Sequence, residues 1–348
     1  MTIAAKNPCA IVGASGYAGA ELIRIIHAHP FLELGAIAAG ANAGASLAEV
    51  HPQFSSVPEL ASKVFVESTQ AALANHDLVF LALPHGQSAQ LISQLPDYVL
   101  IVDLGADFRL EANKDWHTYY GGTYAGSWTY GVPEIHGQRA KISGSTRIAN
   151  PGCYATAIEL GLAPLLAAGL ADTNDIIVVA ASGTSGAGRG AKVNLLNSEV
   201  AGSMSTYKVG GTHQHTPEIE QTLSHVAGVD VQINFTPMLA PMPRGILATM
   251  SVKTTVGGAE LRKTLVDYFA GEPFVTVLPD GQLPVTASTL GSNAVHIQVA
   301  KDDRTNRATV FVALDNLIKG AAGQAVQNAN LICGFPETAG LSAIGIAP

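Results

Sequence analysis

Three glycines set the strongest constraint on this chain. Gly13, Gly16 and Gly19 stand in GASGYAG, directly after the apolar run CAIV and directly before a helical apolar pattern, AGAELIRIIHAH. A G-x-x-G-x-x-G between a strand and a helix is a variant of the turn with which open α/β sheets hold a dinucleotide. Gly13 permits the sharp turn, Gly16 lets backbone approach a pyrophosphate, and Gly19 lets the helix pack closely. Free amides at the helix start then receive phosphates, so Gly13, Ser15, Gly16, Tyr17 and Ala18 are the expected cofactor contacts. A tight strand-to-helix turn without a ligand is the plainer alternative.

The surroundings favour the ligand. Up to about residue 104, short apolar runs (LELGAIAA, KVFVES, DLVFLAL, YVLIVDL) alternate with helical patterns (TQAALANH, SAQLISQL). Strands joined by such crossovers form a parallel sheet covered on both faces. After a Gly/Tyr/Trp-rich stretch over 105–150, which is expected to border the active site, the pattern changes. DIIVVAAS, VQINFTPMLA, GILATMSVKT, FVTVLP, AVHIQVAK and ATVFVALD read as longer strands with few helices between them, hence a mixed or antiparallel sheet. The expected fold is α/β: a Rossmann-like doubly wound NADP-binding domain over 1–152, completed by a returning C-terminal helix over 318–348, and an α+β catalytic and oligomerisation domain over 153–317.

Composition narrows the class. Hydrophobic residues make up 47% and charged residues 13% of 348, the latter well below the usual ~25%, so part of the surface is expected to be covered in a homodimer or homotetramer. With 19 basic against 27 acidic residues and no basic block, neither nucleic acid nor an anionic membrane is the expected partner. The apolar run CYATAIELGLAPLLAAGLA is broken by Glu159 and Pro164, which argues for a buried helix rather than a membrane span. The opening MTIAAKNPCAIVGASG lacks the pattern of a secretory signal. Three widely spaced cysteines, Cys9, Cys153 and Cys333, suit neither a disulfide framework nor a zinc knuckle, and a cytoplasmic location is expected.

The run ending the second strand, LGAIAAGANAG, carries no Asp or Glu at its tip. The acid that holds an NAD ribose is missing, which tilts the expectation to NADP(H), although no Arg or Lys follows to clamp a 2′-phosphate. Pro84, with His85 and Gly86, follows DLVFLAL at the ligand-binding edge, as a nicotinamide neighbour or simply a turn. Ser182, Gly183 and Gly186 lie in SGTSGAGRG, able to offer backbone amides to an anion or a carboxamide, or to serve as a flexible connector.

Cys153 follows Asn150-Pro151-Gly152 and begins a helical segment. A thiol at a helix N-terminus is stabilised as thiolate, so Cys153 is the candidate nucleophile, whereas Cys9 and Cys333 sit in apolar runs as filler. His213 and His215 stand in GGTHQHTPEIE, with Pro217 and Glu218 opening a helix. One imidazole, oriented by Glu218, is expected as the general acid/base; a zinc site from the same residues is the weaker alternative. Arg109, in VDLGADFRL, suits a substrate anion or a salt bridge to Asp107 or Glu111.

Taken together, GASGYAG, VDLGADFRL, YGVPEIH, NPGCYAT, SGTSGAGR, HQHTPEIEQ, PMPRGILAT and DNLIKGAAGQAVQ resemble the N-acetyl-gamma-glutamyl-phosphate reductase family in order and over nearly the whole chain. The resemblance implies a fold like that of aspartate-semialdehyde dehydrogenase and glyceraldehyde-phosphate dehydrogenase. It further implies NADPH-dependent reduction of N-acetyl-L-glutamyl 5-phosphate to the semialdehyde and phosphate, in arginine biosynthesis, through a thioester and without metal. It assigns Cys153 as nucleophile and the H-x-H segment, His213 by preference, as acid/base. Arg109, Tyr207, His215 and Glu218 become substrate contacts and Asn316 a cofactor contact. Gly105 stands where the family often has Ser. The competing expectations are aspartate-semialdehyde dehydrogenase activity and a non-catalytic NADP-binding sensor. A short-chain reductase is excluded, because none of the nine tyrosines has Lys four residues later.

Overall fold

The structure is a computed structural model that describes residues 6–347; Met1–Ala5 of the opening stretch and Pro348 of the C-terminal segment lie outside it. The alternation of the first half produces β1 (Asn7–Val12), α1 (Tyr17–His27), β2 (Leu32–Ala38), β3 (Leu78–Leu81), β4 (Leu100–Asp103), β5 (Thr129–Tyr130) and β6 (Arg147–Ala149). They form one parallel sheet in the order β2-β1-β3-β4-β6-β5. The chain leaves β1 to one side for β2 and returns on its other side with β3, so a crevice opens at their carboxyl ends, the place where such sheets bind ligands.

Two details differ from the sequence expectations. KVFVES contributes only isolated bridges, Ala38 to Val66 and Ser46 to Val64, and the crossover between β2 and β3 is built of four-residue helical pieces at Leu47–Val50, Pro58–Ala61 and Gln70–Leu73. Pro52 and Pro58 remove amide donors that a longer helix would need.

The second half yields α2 (Cys153–Ala167), β7 (Ile176–Ser182), β8 (Ser205–Thr206), α3 (Thr216–Ala227), β9 (Ile233–Leu239), β10 (Ile246–Lys253), α4 (Gly258–Tyr268), β11 (Val275–Val277), β12 (Val295–Asp302), β13 (Arg307–Leu314) and α5 (Gly323–Ile332). The sheet order is β11-β12-β13-β10-β7-β9-β8, with β7/β9 and β11/β12 parallel and the other pairs antiparallel. Helix α2 is buried on nearly every side, from Tyr154 to Leu166, and shares one core with Met250, Val310 and Ile219. This explains the uniformly apolar run: a helix with no solvent face needs no polar stripe. Along β7, Ile176, Val178 and Ala180 are buried whereas Ile177 and Val179 are exposed, so one face of this sheet is open to solvent.

Ile318, Ala322, Ala325, Val326 and Ala329 pack with Ile11, Ile23 and Phe80 in the core of the parallel sheet. The expected C-terminal helix over 318–348 is shorter: α5 ends at Ile332, Gly334 takes φ +71°, and Pro336 follows. A left-handed residue and then a proline stop a helix. Among the described residues, no helix is long and apolar enough to cross a membrane.

Candidate active site

A cleft of about 1080 Å³ runs between the two sheets, lined by the glycine turn, Pro84, His85, Arg109, Asn150 to Cys153, Ser185 to Gly190, His215, Asn316 and Gly320. At its first wall, Gly13 takes φ +80°, and a Cβ there would lie 2.2 Å from the Ala82 carbonyl oxygen. The turn after β1 therefore abuts the end of β3. Gly16 has open space on its Cβ side apart from Gly13 O at 3.4 Å, and no side chain caps α1. These are the features of a cradle that accepts a dinucleotide phosphate on bare helix amides. Ser15, Gly16, Tyr17 and Ala18 all line it.

The opposite wall carries Cys153, the first residue of α2, partly exposed to the cleft. Close packing fixes it from two sides. A Cβ on Gly152 would lie 2.4 Å from His215 Nε2, and one on Gly320 would lie 2.7 Å from Cys153 Cβ. Gly320 is held by the buried Lys319, whose Nζ reaches Glu134 Oε1 and, at 2.8 Å, Gln327 Oε1. Glu134 and Lys319 thus give a structural reason for YGVPEIH and DNLIKG, a role that sequence reasoning did not assign.

The expected low thiol pKa is not what the site produces. Burial pushes the Cys153 thiol up to about 11, against the opposing pull of the Tyr154 amide and of Arg109. Desolvation outweighs the helix terminus here, because the thiolate gives up more hydration than the helix-start amides and the Arg109 charge return. A thiol held this high is protonated near pH 7, so attack by its sulfur would need a base to take the proton.

Glu218 does not orient a histidine, contrary to the sequence expectation. Its Oε1 accepts from the Gly152 amide at 2.7 Å and lies 2.7 Å from the Tyr130 hydroxyl, while Oε2 lies 3.2 Å from Arg109 Nη1. The turn that presents Cys153 is thereby tied to α3. Arg109 also donates to Leu104 O at 2.8 Å, so its salt-bridge partner is neither Asp107 nor Glu111. Glu159, one of the breaks in the apolar run, lies 2.9 Å from Tyr130 OH, and burial raises its pKa well above the usual range. A neutral Glu159 leaves Glu218 as the counter-charge of Arg109.

Of the two histidines, His215 lines the cleft beside Gly152, and its Nδ1 has no protein partner. His213 lies behind it, edge-on to Tyr154, Tyr207, Phe235 and His215, with Nδ1 accepting from the His215 amide at 3.0 Å. Burial lowers the pKa of both, so both rings are neutral near pH 7.

Tyr207 donates to Tyr154 OH at 3.1 Å and stays outside the cleft lining. Ser182 and Gly183 are buried beneath the second glycine loop, Ser182 Oγ donating to Gly183 O at 3.1 Å; the cleft-facing part begins at Ser185 and includes Gly186. Asn316 accepts from the Gly245 amide at 2.7 Å and donates to Ser185 Oγ at 3.0 Å, anchoring that loop. Pro84 and His85 precede a loop whose Gly86 and Ser88 amides donate to Asp107.

A nucleotide cradle facing a helix-start cysteine beside an imidazole defines an oxidoreductase of the semialdehyde dehydrogenase class. Residues 8–143 match the semialdehyde dehydrogenase NAD binding domain and residues 153–316 the semialdehyde dehydrogenase dimerisation domain. The fold is that of aspartate semialdehyde dehydrogenase II of Vibrio cholerae, at TM-score 0.69 and 16% identity over 94% of this chain and 98% of that one. Proteins named N-acetyl-gamma-glutamyl-phosphate reductase from Acidothermus cellulolyticus and Frankia casuarinae are each 57% identical to it over 97% of this chain and 98% of theirs. The chain belongs to the N-acetyl-gamma-glutamyl-phosphate reductase family.

Proposed function

We propose that the chain catalyses the reduction of N-acetyl-L-glutamyl 5-phosphate to N-acetyl-L-glutamate 5-semialdehyde and phosphate, with NADPH as reductant, in arginine biosynthesis. The observation that carries the chemistry is Cys153 at the start of α2, lining one cleft with the nucleotide cradle and with His215, which packs against the adjoining Gly152. Ser15, Tyr17 and Ala18 would hold the pyrophosphate on backbone amides, while Gly13 and Gly16, whose own amides donate to Ala38 O and Gly13 O, would let it approach the backbone, and Asn316 and Gly186 would shape the nicotinamide side. NADP(H) is preferred because the tip of β2, Ala39-Gly40-Ala41-Asn42, carries no carboxylate to repel a 2′-phosphate.

His215, rather than His213, is assigned as the base. Its neutral ring accepts the Cys153 proton as sulfur attacks the acyl carbonyl, phosphate departs and a thioester remains on Cys153. When bound, the nicotinamide supplies a hydride to the thioester carbon. The protonated His215 then stabilises the thiohemiacetal oxyanion and returns its proton to sulfur as the C–S bond breaks. Arg109 lines the cleft and its Nε has no protein partner, so it would meet an anionic group of the substrate, and Glu218 would act through Gly152 and Arg109 as a positioning residue.

The 1–152 segment with 318–348 serves as the cofactor unit, and 153–317 as the unit of chemistry and assembly. A homodimer or homotetramer is supported by the exposed Ile177 and Val179 on the open sheet face. Three free thiols fit a reducing cytoplasm. The test is Cys153→Ala, assayed in reverse with semialdehyde, phosphate and NADP: turnover is lost while NADPH affinity stays near wild type. Retained turnover would reject the assignment.

A further inference from the structure

We propose that Arg189, which reaches the glycine turn from the opposite domain, recognises the 2′-phosphate of NADP(H), with Lys192 as a second cation; the inference rests on the reading of the cofactor as NADP(H). The tip of β2 offers no basic residue for this phosphate. The cleft wall supplies one from elsewhere: Arg189 and Lys192 line the same space as Gly13, Ser15, Asn42 and Val50.

Arg189 is placed by specific bonds. Its Nη1 donates to the Ser15 carbonyl at 3.0 Å and its Nη2 to the Val50 carbonyl at 2.7 Å, with His51 Nδ1 3.5 Å from Nη1. These partners flank the place where a ribose attached to the pyrophosphate must lie, between the turn after β1 and the segment after β2. Both acceptors are neutral carbonyls, and among the described residues no carboxylate lies within 4.0 Å of Arg189 or Lys192. The nearest lining acid, Glu49, turns its carboxylate back to the Ser46 amide and hydroxyl. His51 is kept neutral by burial. An un-neutralised guanidinium fixed in orientation, with N–H groups to spare, is the arrangement that binds a phosphate in a fork.

The contact ties the second glycine loop to the turn after β1, residues 174 positions apart. Equilibrium binding of NADPH, NADH, 2′,5′-ADP and 5′-ADP to the full chain, by calorimetry, tests the assignment with wild type, R189M and R189K. Expected is a loss of roughly tenfold or more for NADPH and 2′,5′-ADP in R189M, with NADH and 5′-ADP unchanged within about twofold. R189K, which keeps the charge and loses the fork, should fall between. Retained NADH binding shows that R189M is folded. Equal loss for all four ligands, or no loss for any, would overturn the role of Arg189. Wild type that binds NADH as tightly as NADPH would instead overturn the cofactor reading itself.

Discussion

The Gly152 amide donates a 2.7 Å hydrogen bond to Glu218 Oε1, so a carboxylate on α3 holds the turn that presents Cys153 on α2. The same carboxylate is the counter-charge of Arg109, and both side chains are buried, at 0% and 5% exposure. Removing it strands a guanidinium in the interior. Glu218→Ala should therefore destabilise the protein by about 3–5 kcal/mol, read from urea unfolding, and Glu218→Gln by clearly less. Equal, small losses in both variants would mean that the pair contributes little.

Glu159 offers the contrasting case. Because burial keeps its carboxyl neutral, Glu159→Gln replaces one neutral hydrogen-bonding group by another next to Tyr130. Its stability should stay within about 1 kcal/mol of wild type. A loss as large as that of Glu218→Ala would show that Glu159 carries charge.

Alkylation of the free enzyme reports the Cys153 thiol directly. With burial holding its pKa at about 11, the rate of iodoacetamide labelling at Cys153 should climb steadily from pH 7 to pH 10 without a plateau. A plateau below pH 8 would indicate a thiolate already present in the resting site.

Asp103, at the end of β4, is buried with Oδ1 accepting from Ser88 Oγ and the Gly105 amide, both at 2.9 Å, and Oδ2 unpaired. Burial raises its pKa to about 7, above that of an unfolded carboxyl. The folded state therefore binds the proton more tightly, and the corresponding stability is present in acid and lost as pH rises from about 4 through 7. Asp103→Asn should gain stability relative to wild type between pH 5 and pH 8, by up to about 4 kcal/mol. A pH-independent difference would contradict this.

Much of this architecture is legible in local pattern. Alternation of apolar runs, GASGYAG before α1, and the turn before Cys153 depend on near neighbours, and the strands and helix starts follow from them. The site's energetics do not. Glu218 meets Gly152 across 66 positions and Arg189 meets Ser15 across 174, and neither pairing leaves a trace in spacing. The Cys153 thiol was expected to be acidic from its helix position, but desolvation, which depends on what packs around it, dominates. His213 and His215 are equivalent in HQH, yet only the tertiary fold turns His215 toward the cleft. Glu159 did leave a signal: a carboxylate in an otherwise apolar helix must find a buried partner, here Tyr130.

The most direct test of the central claim is mass spectrometry of the acyl-enzyme. Wild type incubated with N-acetyl-L-glutamyl 5-phosphate without NADPH should carry one N-acetylglutamyl group, mapped by peptide digestion to Cys153, and NADPH should discharge it. An adduct on another residue, or turnover with no adduct at Cys153 under these conditions and undiminished activity in Cys153→Ala, would contradict the account.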